Sequence, residues 1–313
     1  MKKLSALILA SLLILTFAGC GSSGGSDDED AGITTGGNGG VSSTPKYLCF
    51  TAAGGDVDVK IKLESVMGTM SVIPSLEWSN DGTTWTPVAL SGPAATETTT
   101  NAITTLAVGS KMYIRAISTN SFFSEFNMGG PTVVLSQFVF TGTGNIEASG
   151  NVMSLLDKTC ASTTIPSIGC FSSLFKGCDK LVSSPILPAT TLNDNCYAEM
   201  FYGCTALASA PELPATALTP GCYNAMFRGC EALTIAPDLP ATSIVSNCYN
   251  RMFYDCQSLA SMKVYFTAWG NVEDTENWVS NVNSPGKFYH KSGLTDLTKN
   301  DNKVPANFTP ETF

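Results

Sequence analysis

Histidine, basic residues and charge of either sign are scarce in this 313-residue sequence. His290 is the only histidine, which leaves a single place for a Ser/His/Asp or Cys/His arrangement. It falls in "FYHKS", where an exposed or hydrogen-bonded histidine on a strand is the ordinary reading. Lys and Arg number 17 against 26 Asp and Glu, a net charge of -9. An acidic chain without a basic stripe is a poor partner for nucleic acid or an anionic membrane surface. Charged residues make up 14% and hydrophobic ones 43%, the balance of a folded, core-rich protein rather than a disordered one. There is no phosphate-binding loop and no dinucleotide fingerprint, and no motif concentrates a pair of carboxylates. These absences point away from an enzyme, so no catalytic residue, metal or cofactor is assigned.

What is present begins with Met1, Lys2 and Lys3, followed by an apolar run from Leu4 to Ala18 broken only by Ser5, Ser11 and Thr16. That is the layout of a secretory signal, too short for a stable membrane span. It ends in Phe17-Ala18-Gly19-Cys20, which resembles a bacterial lipoprotein signal. The resemblance implies cleavage after residue 19 and lipidation of Cys20, whose acyl chains (palmitate among them) would anchor the protein to a membrane. Loss of Lys2 and Lys3 would take the net charge from -9 to -11. Residues 20–45 are rich in Gly, Ser and Thr and lack an apolar cluster, as expected for a disordered linker. Within them, Ser26, Asp27, Asp28, Glu29 and Asp30 either form a solvated acidic patch or act as an export signal. The second reading rests on a resemblance to surface lipoproteins of some Gram-negative bacteria.

Residues 46–135 carry a β pattern. "DVDVKIKLES" sets Val57, Val59, Ile61 and Leu63 against Asp56, Asp58, Lys60, Lys62 and Glu64, a period of two with one wet face. "SLEWSNDGTTWTPVAL" reads as a hairpin turning at Asn80-Asp81-Gly82. "KMYIRAIS" and "PTVVLSQFVF" supply further strands, so an antiparallel β-sandwich-like domain is expected. "SNDGTTW" is similar to the Asp-box of sialidases, but it is one residue short and occurs once, and a propeller needs repeated blades.

Residues 136–262 repeat. Cys170, Cys196, Cys222 and Cys248 are 26 residues apart, and so are Cys178, Cys204, Cys230 and Cys256. The frame is "CFSSLFKGCDKLVSSPILPATTL", "CYAEMFYGCTALASAPELPATAL", "CYNAMFRGCEALTIAPDLPATSI" and "CYNRMFYDCQSLASM". A period of this size means a solenoid and lies within the range of leucine-rich repeats. Leu181, Leu207, Leu233 and Leu259 are expected to start a short strand in each coil, with Pro185, Pro211 and Pro237 ending it. "CYxxMF" is expected to form one or two helical turns on the opposite side, stopped by Gly177, Gly203 and Gly229. The eight cysteines read first as stacked core hydrophobes. A disulfide ladder between neighbouring coils is a second reading. Zinc is a third, although the C-x7-C spacing lacks the close pairs of structural zinc sites.

The repeat "CYxxMFxGCxxLxxAPxLPATxL" resembles the BspA-like leucine-rich-repeat proteins of bacterial cell surfaces. So do the opening segment "FTGTGNIEASGNVMSLL" and the closing segment "NWVSNVNSPGKFYH", the latter within a C-terminal cap at residues 263–313. The fold class expected is therefore mainly β with short helices, a β-sandwich-like domain followed by a short leucine-rich-repeat solenoid. The resemblance implies a protein lipid-anchored in the outer membrane of a Gram-negative bacterium and exposed at the cell surface. It would bind a host protein or a glycan and mediate adhesion. The alternative is a structural or accessory envelope protein packing against a membrane partner. The strand positions Val182, Ala208 and Thr234, with Ser184, Ala210 and Ala236, are expected to be exposed; being small, they identify no ligand.

Overall fold

The computed structural model describes residues 44–67, 73–94, 97–120, 123–126 and 133–313. Cys20 and the run Ser26 to Asp30 lie outside the described residues. The fold is mainly β, with sheets first and a β-solenoid of about three turns in the C-terminal region. The strands of the first part are β1 (Leu48–Ala53), β2 (Val57–Met67), β3 (Leu76–Ser79), β4 (Thr86–Pro87), β5 (Thr98–Leu106), β6 (Lys111–Ala116), β7 (Glu125–Phe126), β8 (Val133–Gly142) and β9 (Asn145–Ser149). The repeats add β10 (Leu181–Ser183), β11 (Ile235–Leu239), β12 (Ser261–Val264), β13 (Gly286–His290) and β14 (Phe308–Thr312).

The alternation in β2 works as its sequence implies: Val57, Val59, Ile61 and Leu63 are all fully buried, while Lys60 turns outward to meet Thr141 Oγ1. β2 sits between β5 and β8 with antiparallel register, and β7 closes that sheet. A second sheet runs β10-β9-β1-β6-β3-β4. Its β3–β4 pair is the hairpin read from the sequence. In the connecting loop Asp81 Oδ1 accepts hydrogen bonds from the backbone N–H groups of Thr83 and Thr84, the local pairing that makes Asp a turn former. The two sheets meet through Phe50 of β1, whose ring lies edge-on to Phe138 and Phe140 of β8 at 4.9 and 5.1 Å.

The repeats grow directly from both sheets. β10, the first repeat strand, pairs in parallel with β9. On the other side, the N–H of Phe138 in β8 donates to the carbonyl of Leu174, and the N–H of Ser124 to that of Cys170. Farther along, β11, β12, β13 and β14 form one parallel sheet, and a single apolar core runs through both regions.

The wall opposite those strands departs from the sequence expectation. Among the described residues the only helices are two short 3-10 turns, Val152–Leu155 and Val272–Asp274; "CYxxMF" is not helical. Its N–H groups alternate instead. In one coil Ala198, Met200, Tyr202 and Cys204 donate to the carbonyls three residues back. The residues between them, Tyr197, Glu199, Phe201 and Gly203, donate across to Cys222, Asn224, Met226 and Arg228 of the next coil. A helix keeps all its N–H groups to itself and all its φ negative. Here φ is positive at Asn195, Glu199 and Gly203, at Gly221, Ala225 and Gly229, and at Asn247, Arg251 and Asp255. A positive φ at the third position of a hydrogen-bonded turn is the requirement of type II geometry, so each coil is a run of overlapping turns that also forms a ladder. The glycines Gly177, Gly203 and Gly229 are therefore one column of left-handed turn positions, not helix stops.

The strand expectation also needs correction. Leu181, Leu207, Leu233 and Leu259 are all fully buried, but only Leu181 begins a strand. The coil of Leu207 has none, β11 starts at Ile235 and β12 at Ser261. Pro237 lies inside β11 rather than ending it. The β11–β12 register slips between Ile235 and Asp238, and such a bulge is where a sheet tolerates a residue without an N–H.

Packing in the coils is columnar. Phe138, Phe175, Phe201, Phe227 and Phe253 stack with centroids 5.5–5.7 Å apart. Phe171, Tyr197, Tyr223 and Tyr249 form a second column at 5.9–6.2 Å. Trp278 closes both, with its ring 6.1 Å from Tyr249 and 6.2 Å from Phe253. Each such pair adds about 0.5–1.5 kcal/mol to the burial of the rings.

The eight repeat cysteines are buried and free. One column has a specific role. The thiols of Cys178, Cys204, Cys230 and Cys256 each donate to the carbonyl of a phenylalanine 29 or 40 residues earlier, at 3.0–3.1 Å. Burial pushes the thiols of Cys170, Cys196 and Cys248 up to about 12 and raises those of the other five. A buried, protonated thiol is neither a nucleophile nor a metal ligand. These thiols stay protonated in the folded protein at pH values where an unfolded chain ionises them. Their contribution to stability is complete below about pH 9 and is lost as the pH rises from about 9 towards 12. The urea midpoint is expected to be level near neutrality and to fall steadily above about pH 9. A midpoint that holds level through that window would contradict the burial of these groups.

Candidate functional site

The turn wall carries a second periodicity, in the residue two before the second cysteine of each coil. Lys176, Tyr202, Arg228 and Tyr254 follow one another at 26-residue intervals. Their side chains sit at the edge of the coil, half-buried, and they interleave cation with ring. Lys176 Nζ lies 5.1 Å from the Tyr202 ring centroid. The Arg228 guanidinium lies 5.2 Å from Tyr202 on one side and 4.6 Å from Tyr254 on the other. Partly solvated pairs of this kind contribute about 0.5–1 kcal/mol each. Lys176 is further tied to Glu199.

The ladder stops at the next coil, where Ser280 occupies the same position. The change from a ring to a hydroxymethyl group opens a cleft of about 520 Å³ beside Tyr254, within the range that holds small ligands. Arg228, Arg251 and Tyr254 of two successive coils line it, together with Asn277, Ser280 and Asn281 of the next coil and Asp301 beyond. A second hollow of about 440 Å³ shares Asn277 and Asp301 with it and continues to Asn300 and Asn302. The coil beyond the ladder is held in place by its own polar contacts. The N–H of Asn277 donates to Asn302 Oδ1 at 2.7 Å, Ser280 Oγ donates to Asn277 Oδ1, and Asn281 Nδ2 donates to Asp255 Oδ1 at 2.7 Å. Asn277 and Asn281 both have positive φ, which asparagine tolerates better than most residues.

The charges of the cleft are distinctive. The sequence contains three arginines, Arg115, Arg228 and Arg251. Arg115 is spent on Glu77, with Nε 2.8 Å from Oε1, and is stacked on Trp85. The other two open on this cleft, and neither has an ion-pair partner among the described residues. Arg251 is exposed and Arg228 half-buried. Two guanidinium groups without a close ion-pair partner stand beside a tyrosine ring, with amides, a hydroxyl and the Asp301 carboxylate in the same lining. Such a set can hold an anionic group at the arginines while hydrogen-bonding neutral polar ones elsewhere.

None of these residues is among the positions expected from the sequence to face a ligand. Those lie on the strand wall, where Val182, Ser184 and Ala210 are half-buried and Ala208 and Thr234 exposed. Ala236, expected to be exposed, is buried, because Thr234 and Ile235 both face outward and the alternation counted from Leu233 is displaced by one residue. The signal that points to the cleft is the alignment of Lys176, Tyr202, Arg228 and Tyr254 in the 26-residue frame. His290 lies elsewhere, buried on β13 with Nδ1 2.9 Å from the Lys291 carbonyl oxygen. The cysteine columns lie in the interior and contribute nothing to the cleft lining. No protein family, curated protein or solved structure matches this chain.

Proposed function

We propose that this chain is a lipid-anchored cell-surface protein that binds a polar ligand in the cleft beside Tyr254. The observation that carries the binding role is the placing of Arg228 and Arg251, unpaired in an acidic protein, on one concave surface. Stacking on Tyr202 and Tyr254 accounts for the place of Arg228, but not for a second arginine on the same concave surface, and a partner carrying negative charge would offset the repulsion between the two. The anchoring role rests on the sequence Phe17-Ala18-Gly19-Cys20. The repeat frame, with its buried leucines and its parallel strands on one wall, supports placing the solenoid with the BspA-like leucine-rich-repeat proteins, surface adhesins by that resemblance. Outer-membrane attachment and display through Ser26 to Asp30 belong to the same reading.

Both halves are testable on cells. Intact-mass analysis of protein extracted from membranes is expected to show acyl mass on a peptide beginning at Cys20, and Cys20→Ala should release the chain or leave the signal uncleaved. A mature protein starting elsewhere, soluble without detergent, would overturn the anchor. For binding, cells displaying the wild type should retain host matrix proteins or glycans that cells displaying Arg228→Gln/Arg251→Gln do not. Equal retention by both would move the binding surface away from the cleft.

A further inference from the structure

We infer that the ligand of this cleft is an acidic saccharide, a pyranose bearing a carboxylate, with its ring on Tyr254 and its carboxylate on the arginines. The inference rests on the binding role proposed above and adds the chemical class of the ligand. Three independent features of the cleft lead to it.

The first is the missing rung. Arg228 covers one face of the Tyr254 ring, and in the coils before it the other face of a tyrosine or cation is covered by the next side chain of the ladder. At Tyr254 that side chain is Ser280, too short to reach across the ring. No further rung of the ladder meets Tyr254 beyond Arg228, and Tyr254 lines the cleft. A flat, partly apolar surface of this kind suits the C–H face of a sugar ring, which presents apolar carbon on one side and hydroxyls at its rim.

The second feature is the opposite side. Asn277, Asn281 and Asp301 offer amide donors, amide acceptors and a carboxylate acceptor within one small hollow. Such a set can meet adjacent hydroxyl groups, each of which donates once and accepts twice. Asn277 Oδ1 already accepts from Ser280 Oγ and Asn281 Nδ2 already donates to Asp255, so a ligand would meet the remaining amide groups and the Asp301 carboxylate, and a simple anion would use none of the acceptors.

The third feature is the charge. A neutral sugar would need neither arginine to be unpaired. The guanidinium fork matches the two oxygens of a carboxylate, and Arg251 opens the turn that Tyr254 closes, its carbonyl accepting the Tyr254 N–H. The adjoining hollow at Asn300 and Asn302 gives room for a second sugar unit.

The test is titration calorimetry of the full-length, detergent-solubilised protein with a tetramer of galacturonic acid and with the same tetramer after reduction of its carboxylates to alcohols. The acid tetramer is expected to bind, and the reduced one to bind at least about tenfold more weakly, the loss expected for removing a charge-assisted bidentate contact. Arg251→Gln should weaken the acid tetramer by a similar factor and the reduced one far less, while Arg228→Gln, which also removes the support of the Tyr254 ring, should weaken both. Tyr254→Ala should weaken both tetramers. Its thermal unfolding is recorded alongside, since Arg251→Gln, at an exposed position, tests the carboxylate contact without disturbing the ladder. Equal affinity for the two tetramers would overturn the carboxylate while leaving a sugar-binding cleft. Absence of binding by both would overturn the saccharide, and the proposed binding role would then stand or fall on whether the double arginine variant still retains ligand on cells.

Discussion

Cys230→Asp is expected to prevent cooperative folding of the coils, while Cys230→Ser folds with a loss of about 1 kcal/mol. The two replacements are close in size and opposite in what they offer the neighbouring coil. Cys230 is fully buried, and its sulfur donates to the carbonyl oxygen of Phe201 at 3.1 Å. Serine keeps a donor there. An aspartate would bring a negative oxygen against that carbonyl oxygen, between apolar coils, with no donor or cation to receive it. The cost is about 4 kcal/mol or more near neutral pH, whether as desolvation of the charge or as the free energy of protonating a carboxyl far above its usual pKa. Cys230→Ala lies between the two, at about 1–2 kcal/mol, because Phe201 O still accepts the N–H of Cys204. Urea unfolding followed by circular dichroism ranks the three variants. An aspartate variant with a wild-type midpoint would refute the stacked-thiol core.

Phe227→Ala is expected to cost about 3–5 kcal/mol, and the damage should be local. The ring is fully buried and stacks on Phe201 at 5.6 Å and on Phe253 at 5.7 Å. Its removal leaves a void with a rigid ring on each side, so the site cannot collapse, and two stacked contacts are lost together. In a solenoid each coil touches only its neighbours, and stability is close to a sum of nearest-neighbour contributions. Hydrogen exchange should therefore accelerate in residues 222–256 and remain slow in β1, β2 and β6. As a control, Val272→Ala, at a position 68% exposed, should change stability by no more than about 0.5 kcal/mol. Uniform acceleration across the chain in Phe227→Ala would show that the coils and the N-terminal sheets unfold as one unit.

The sequence disclosed the period and the buried columns, since a 26-residue recurrence of Cys, Phe and Leu has few other physical meanings. It also disclosed β2, whose alternation leaves one face wet. It did not disclose the turn wall. Apolar residues in "CYAEMF" are spaced as on a helix, with Cys196 and Met200 four apart, and both are buried in either geometry. The difference lies in the backbone, at Glu199, Ala225 and Arg251, which hold positive φ although none is a residue that favours it. Each such position costs about 1 kcal/mol or more, and nothing in the side chain announces it. The cross-coil hydrogen bonds of the same residues offset that strain, and they exist only once neighbouring coils are in place. The cleft was hidden for a related reason. It forms where the repeat degenerates, at Ser280, Asn281 and Asp301, so the regularity that exposes the coils is the wrong guide to the place where they change.

The stacking of the first coil on β8 and β9 makes the N-terminal sheets a fixed foundation and the number of coils a free variable. Every residue lining the cleft lies at Arg228 or beyond. Tandem duplication of residues 196–221 would insert one more storey whose Phe201 and Tyr197 meet copies of themselves, so the core columns would accept it, while in the outer ladder a second Tyr202 would stand between Tyr202 and Arg228. The cleft would be carried outward intact by roughly one strand spacing, ~5 Å. Copy number in such a gene is thus a ruler, able to change how far the binding surface stands from its base without altering what it binds.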